Sequence, residues 1–97
     1  MKRVEIMINQ SITEDLIEGL QKQDLYHACT RWTPVYGLGN AGPREGSPVW
    51  PESNSVFLLF LEEEQLDALS PLIHDLKREF PEEGLKCFIS QGPDEII

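Results

Sequence analysis

Ninety-seven residues make one domain with a modest core, and 40% hydrophobic with 26% charged residues is ordinary for a globular chain. The formal net charge of −9 lacks the basic footprint of a nucleic-acid binder and opposes anionic membrane surfaces.

The sequence passes from Met1-Lys2-Arg3 straight into a strand-like run, with no signal-peptide pattern and no apolar run of transmembrane length. The expectation is a cytoplasmic chain in which Cys29 and Cys87 are free thiols, since they also lack Cys-x-x-Cys spacing. Val4, Ile6 and Ile8 alternate along a predicted first strand from about Arg3 to Asn9. Ser11-Ile12-Thr13-Glu14 has the form of a capping box, with Thr13 as a rival cap. Ile12, Leu16 and Leu20, with Ile17 beside them, give the following helix an apolar face, and it should end near Gln23-Asp24. Gly19 inside it costs about 1 kcal/mol against Ala, which points to close packing there. Tyr26 to Tyr36 is rich in aromatic, Thr and Val residues and predicts a second strand, with Pro34 marking an edge.

Thr33 to Asn54 follows no hydrophobic period. It holds four of the seven glycines and four of the seven prolines, together with Tyr36, Arg44 and Trp50. A long loop of this kind in a small domain is usually functional or disordered, and contact-making side chains favour a loop that binds something. Ser55 to Leu61 is a continuous apolar run, the pattern of a strand buried on both faces. Glu62-Glu63-Glu64 suits a helix N-terminus. Leu66, Leu69, Leu72, Ile73, Leu76 and Phe80 form the apolar face of a second helix that starts early enough to hold Pro71 within it. Leu85 to Ile89 predicts a fourth strand, and Glu95-Ile96-Ile97 a short tail that docks on the body.

This order predicts an α+β, ferredoxin-like βαββαβ fold, a four-stranded antiparallel sheet with both helices on one face. The two-sided apolarity of Ser55–Leu61 then calls for a second subunit over the bare sheet face.

Four stretches resemble the PII family of nitrogen-regulatory signalling proteins: Met1–Ile8, Val35-Tyr36-Gly37-Leu38-Gly39, Glu63–Leu69 and Gly84–Ile89. The resemblance implies a homotrimer with sheet faces packed together, and adenine nucleotide or another small-molecule effector in clefts between subunits. It implies a T-loop-like segment, residues 38–54, that binds a membrane transporter or enzyme. The resemblance carries over Gly37, Leu38 and Gly39 as ligand residues, with Lys86 displaced by one from the family's lysine; by residue type Arg31 and Arg44 are the anion-contacting cations, and Arg44 and Trp50 the partner contacts of the loop. Ala41 stands where the family has Gln, residues 38–54 contain no Tyr to modify, and the phosphate-binding B-loop is reduced to Phe80-Pro81-Glu82-Glu83-Gly84.

Two other classes compete. His27 and Cys29, two apart on the predicted strand, share a face and suit Zn²⁺ or Cu⁺, with a third ligand needed from His74, Cys87 or another subunit. Such a protein would be similar to the metal-linked CutA group. An enzyme finds little support, because no nucleophile elbow or His-Glu-x-x-His motif is present.

Overall fold

The computed structural model describes residues 1–37 and 52–97. The expected order is found: β1 (Lys2–Asn9), a 3-10 turn (Gln10–Ile12), α1 (Thr13–Lys22), β2 (Thr30–Gly37), β3 (Glu52–Leu61), α2 (Glu63–Glu79) and β4 (Leu85–Gln91). The strands form one sheet in the order β2-β3-β1-β4, and every neighbouring pair is antiparallel. Both helices pack on one face.

Alternation in the inner strands decides which face that is. Val4, Ile6 and Ile8 of β1 and Phe57, Leu59 and Leu61 of β3 are buried. They join Leu16 and Leu20 of α1 and Leu69 and Leu76 of α2 in one core. The register fixes the other side chains of β1 and β3 on the opposite, helix-free face: Glu5 faces Leu58, Met7 faces Val56 and Arg3 faces Phe60.

The first helix starts differently from expectation. Asn9 is the cap, its Oδ1 accepting from Ser11 N at 2.9 Å, while Thr13 Oγ1 donates to Asn9 O at 3.2 Å. A turn of 3-10 helix therefore comes before α1, and the Ser11–Glu14 box is not used. At the second helix, Glu62 N donates to Gln65 Oε1 at 2.8 Å, and Pro71 lies inside the helix, as the early start requires. The second strand is shorter than predicted. Tyr26 to Cys29 are loop, and the backbone turns through the left-handed region at Asp24 and Ala28 (φ 56° and 49°).

Gly19 sets the spacing between the helices. A Cβ built there would lie 2.3 Å from Leu72 Cδ1, so α2 presses a side chain onto bare backbone. Gly19→Ala is expected to cost about 1–3 kcal/mol by overpacking, less the roughly 1 kcal/mol of helix propensity it returns. In a Leu72→Ala background the same substitution should stabilise. Urea unfolding of the four chains in the cycle measures the reversal, and additive effects would refute the contact.

Candidate functional site

Arg31 lies on β2 in register with Phe57, and this places its side chain on the helix side of the sheet. Its guanidinium sits 5.5 Å from the Phe57 ring centroid, and Nη2 donates to Ser55 Oγ at 3.4 Å. The side chain is thus oriented while remaining exposed at the sheet edge. Farther along β2, Gln10 Nε2 donates to Thr33 Oγ1, tying the turn after β1 to this edge. Gly37 ends the strand opposite Glu52. A Cβ there would meet Asn54 Nδ2 at 3.6 Å, an ordinary contact, so packing does not demand glycine. Leu38, Gly39, Arg44 and Trp50 lie outside the described residues.

Lys86 is exposed on β4 in register with Met7, on the helix-free face. The sheet order puts Arg31 and Lys86 on opposite edges, three strand spacings or about 14 Å apart. They also point to opposite faces. One subunit therefore does not bring the expected cations together.

The turn from Phe80 to Gly84 sits at the β2-exit end of the sheet, where β4 begins beside Ile8. Three of its carbonyls are occupied: Phe80 O accepts from Glu83 N at 3.1 Å, Glu83 O from Lys77 Nζ at 2.8 Å and Gly84 O from Asn9 N at 2.9 Å. A phosphate cradle needs convergent N–H groups and free cations. Here Lys77 is engaged with a carbonyl, and Glu82 and Glu83 add negative charge.

A surface that the sequence-derived site leaves unassigned is the helix-free sheet face. Val56 and Leu58 form its middle, half-buried, with Trp32 and Met7 flanking Val56 in register. Trp32 is 49% exposed, Met7 41%, Phe60 36% and Phe88 55%. The Arg3 Nε–Glu5 Oε1 pair at 2.8 Å lies among them. Large side chains gathered on one flat face mark an interaction surface rather than scattered exposure. In the sequence Met7 already stands out as the residue that breaks the polar face of β1, whereas Phe88 is missed. Their signal is the apolar residue at a position where alternation calls for a polar one.

The metal reading loses its geometry. His27 and Cys29 stand in the α1–β2 loop, so the shared strand face does not exist. His27 Nε2 lies 3.6 Å from Asp24 Oδ1, and Cys29 Sγ contacts Thr30 O at 3.9 Å. His74 is exposed on α2 with Nδ1 3.4 Å from Ser70 Oγ. Among the described residues no three His, Cys, Asp or Glu side chains gather into a metal-holding group.

Burial pushes both thiols up, at Cys29 against the opposing pull of Arg31. A raised thiol keeps the folded chain neutral where the unfolded chain ionises. The contribution to stability is therefore complete below the ordinary value of 9.0 and is lost as pH climbs above it. Unfolding free energy should fall from pH 8 to pH 10.5, and the fall should flatten in a Cys29→Ala/Cys87→Ala chain. An equally steep fall in that variant would exclude the thiols as its source.

No protein-family model and no curated protein matches the chain. Solved structures do. CPII from Thiomonas intermedia K12, a nitrogen regulatory PII-like protein bound to ADP, AMP and bicarbonate, matches with a TM-score of 0.67 at 19% identity, covering 92% of this chain and 82% of CPII. The apo form of CPII gives 0.65 at 16% identity, covering 92% and 85%. TTHA0516 from Thermus thermophilus, named as a PII-like signaling protein, gives 0.58 at 19%, covering 92% and 83%.

The fold is that of PII-like proteins. Within this PII-like fold the 38–51 segment joins β2 to β3, the position the sequence resemblance gives to the T-loop. Among the described residues no helix is long and apolar enough to cross a membrane.

Proposed function

We propose that this chain is a non-enzymatic PII-like signalling protein. It assembles through its helix-free sheet faces into a homotrimer and takes a small-molecule effector in the clefts between subunits. The observation that carries this reading is the uncovered apolar sheet face on a PII-like fold, with the two expected cations on opposite edges. Rotation about an axis near that face brings the Arg31–Gly37 edge of one subunit toward the Lys86 edge of the next. A cleft so built has a cation from each side, which suits an anionic ligand.

CPII, with ADP, AMP and bicarbonate bound, supplies the first ligands to try. The Phe80–Gly84 turn, with its acids, weighs against a triphosphate and toward smaller anions. Effector binding at the cleft sets the affinity of the T-loop-like segment between β2 and β3 for a partner, a membrane transporter or an enzyme. Arg44 and Trp50 are the contact residues within that segment.

Titration calorimetry with ADP, AMP, ATP and bicarbonate, run beside sedimentation of the same sample, tests the reading. Binding of one of these to an assembled chain, weakened about tenfold or more in Arg31→Gln and in Lys86→Gln, is expected. An assembled chain that binds none of the four would remove the effector site at these edges.

A further inference from the structure

After β4 the chain passes tightly against the start of β1. Gly92 N donates to Met1 O at 3.1 Å, and a Cβ at Gly92 would lie only 2.7 Å from that oxygen. Residues 93–97 then have no secondary structure. Ile96 and Ile97 are fully exposed, at 96% and 105%. The expected docked tail is therefore not found on this chain's own body. Removing apolar surface from water is the main favourable term in folding and association, and two isoleucines left in water forgo it.

A seat stands near the exit. Phe60 and Phe88 are exposed on the helix-free face, and Arg3 lies between Phe60 and Ser90 in register at the same end of the sheet. Five extended residues span up to about 17 Å, enough to cross this face. The lone chain nevertheless leaves it uncovered. β4 carries the chain out past Met1, and Pro93, with φ fixed near −65° and no N–H to donate, follows immediately.

We infer that residues 93–97 of one copy dock on the helix-free sheet face of a second copy, with Ile96 and Ile97 against its Phe60 and Phe88. The inference rests on the assembly proposed above. Three features favour a second copy as the acceptor. Tail and face are both apolar and both unpartnered in the single chain. Asp94 and Glu95 precede the isoleucines, and Arg3, whose Nε pairs with Glu5 at 2.8 Å, keeps its other guanidinium N–H groups for the face they would meet. Tail exit and seat lie at the same end of the sheet, so a rotational assembly can satisfy every tail once. Each tail then works as a strap between subunits, at the end of the sheet away from residues 38–51.

Sedimentation velocity over a wide concentration range, on the full chain and on an Ile96→Asp/Ile97→Asp chain, tests the strap. The substituted side chains touch nothing in the single copy, so its circular dichroism should be unchanged. Half-assembly should require about tenfold or more higher concentration. Equal assembly of the two chains overturns the strap and leaves the sheet-face reading standing, provided Trp32→Glu disperses the same sample. A parent chain that stays monomeric throughout overturns both.

Discussion

Trp32→Glu is expected to disperse the assembled chain and leave the subunit folded. The indole stands on the helix-free face beside Val56 at 49% exposure. In the single subunit it supports little, so a carboxylate there remains in water at small cost. Closed within an interface the same carboxylate has no partner, and an unpaired buried charge costs several kcal/mol. Tryptophan, here flanking the middle of an apolar patch, is also the residue type whose loss weighs most in interfaces, about 2 kcal/mol or more. Together these raise the dissociation constant by at least about a hundredfold. Sedimentation equilibrium reads that shift, and circular dichroism checks the fold. A variant that assembles like its parent would place the interface elsewhere, and the cleft reading would lose its scaffold.

Phe57→Ala should have the largest effect on the subunit itself. The ring is fully buried in the central strand β3, on the helix side, and it also carries the Arg31 guanidinium. Removing a buried Phe side chain typically costs about 3–5 kcal/mol, a large share of the roughly 5–15 kcal/mol that holds a domain folded. The urea midpoint should drop accordingly. Arg31 then loses one of its two positioning contacts, leaving the Ser55 hydroxyl, so anion binding should weaken even at temperatures where the variant remains folded. A midpoint within error of the parent would contradict the burial.

The two inner strands are legible in the sequence because their burial is one-dimensional. Val4, Ile6 and Ile8 alternate, Ser55 to Leu61 is continuously apolar, and in both strands the residues that face the helices are the buried ones. The helices are legible for the same reason, and Gly19 even signals the close approach that Leu72 makes. The loop before β2 is not. Tyr26 to Cys29 have strand-like composition, yet left-handed turns at Asp24 and Ala28 take the backbone out of extended geometry. Local composition carries no trace of that, and the apparent His27–Cys29 pair falls with it.

The site is legible only residue by residue. Arg31 and Lys86 are both visible as candidate cations, but whether they meet depends on sheet order and on which face each strand presents. Met7, Trp32 and Phe88 look unrelated along the chain. Register through Val56 makes neighbours of Met7 and Trp32, and the pairing of Glu5 with Phe88 puts the third on their side. Long-range pairing of that kind is set by the whole sheet, and no window of sequence contains it.

The separation of Arg31 and Lys86 on opposite edges has a genetic consequence. If each cleft draws one cation from either neighbour, two defective alleles can repair one another. A cell carrying Arg31→Gln and Lys86→Gln on separate copies would build mixed assemblies in which some clefts receive the intact half from each. Under the proposed assembly, partial complementation between the two alleles, and no function where a chain carrying both changes is the only one present, is the inheritance pattern expected.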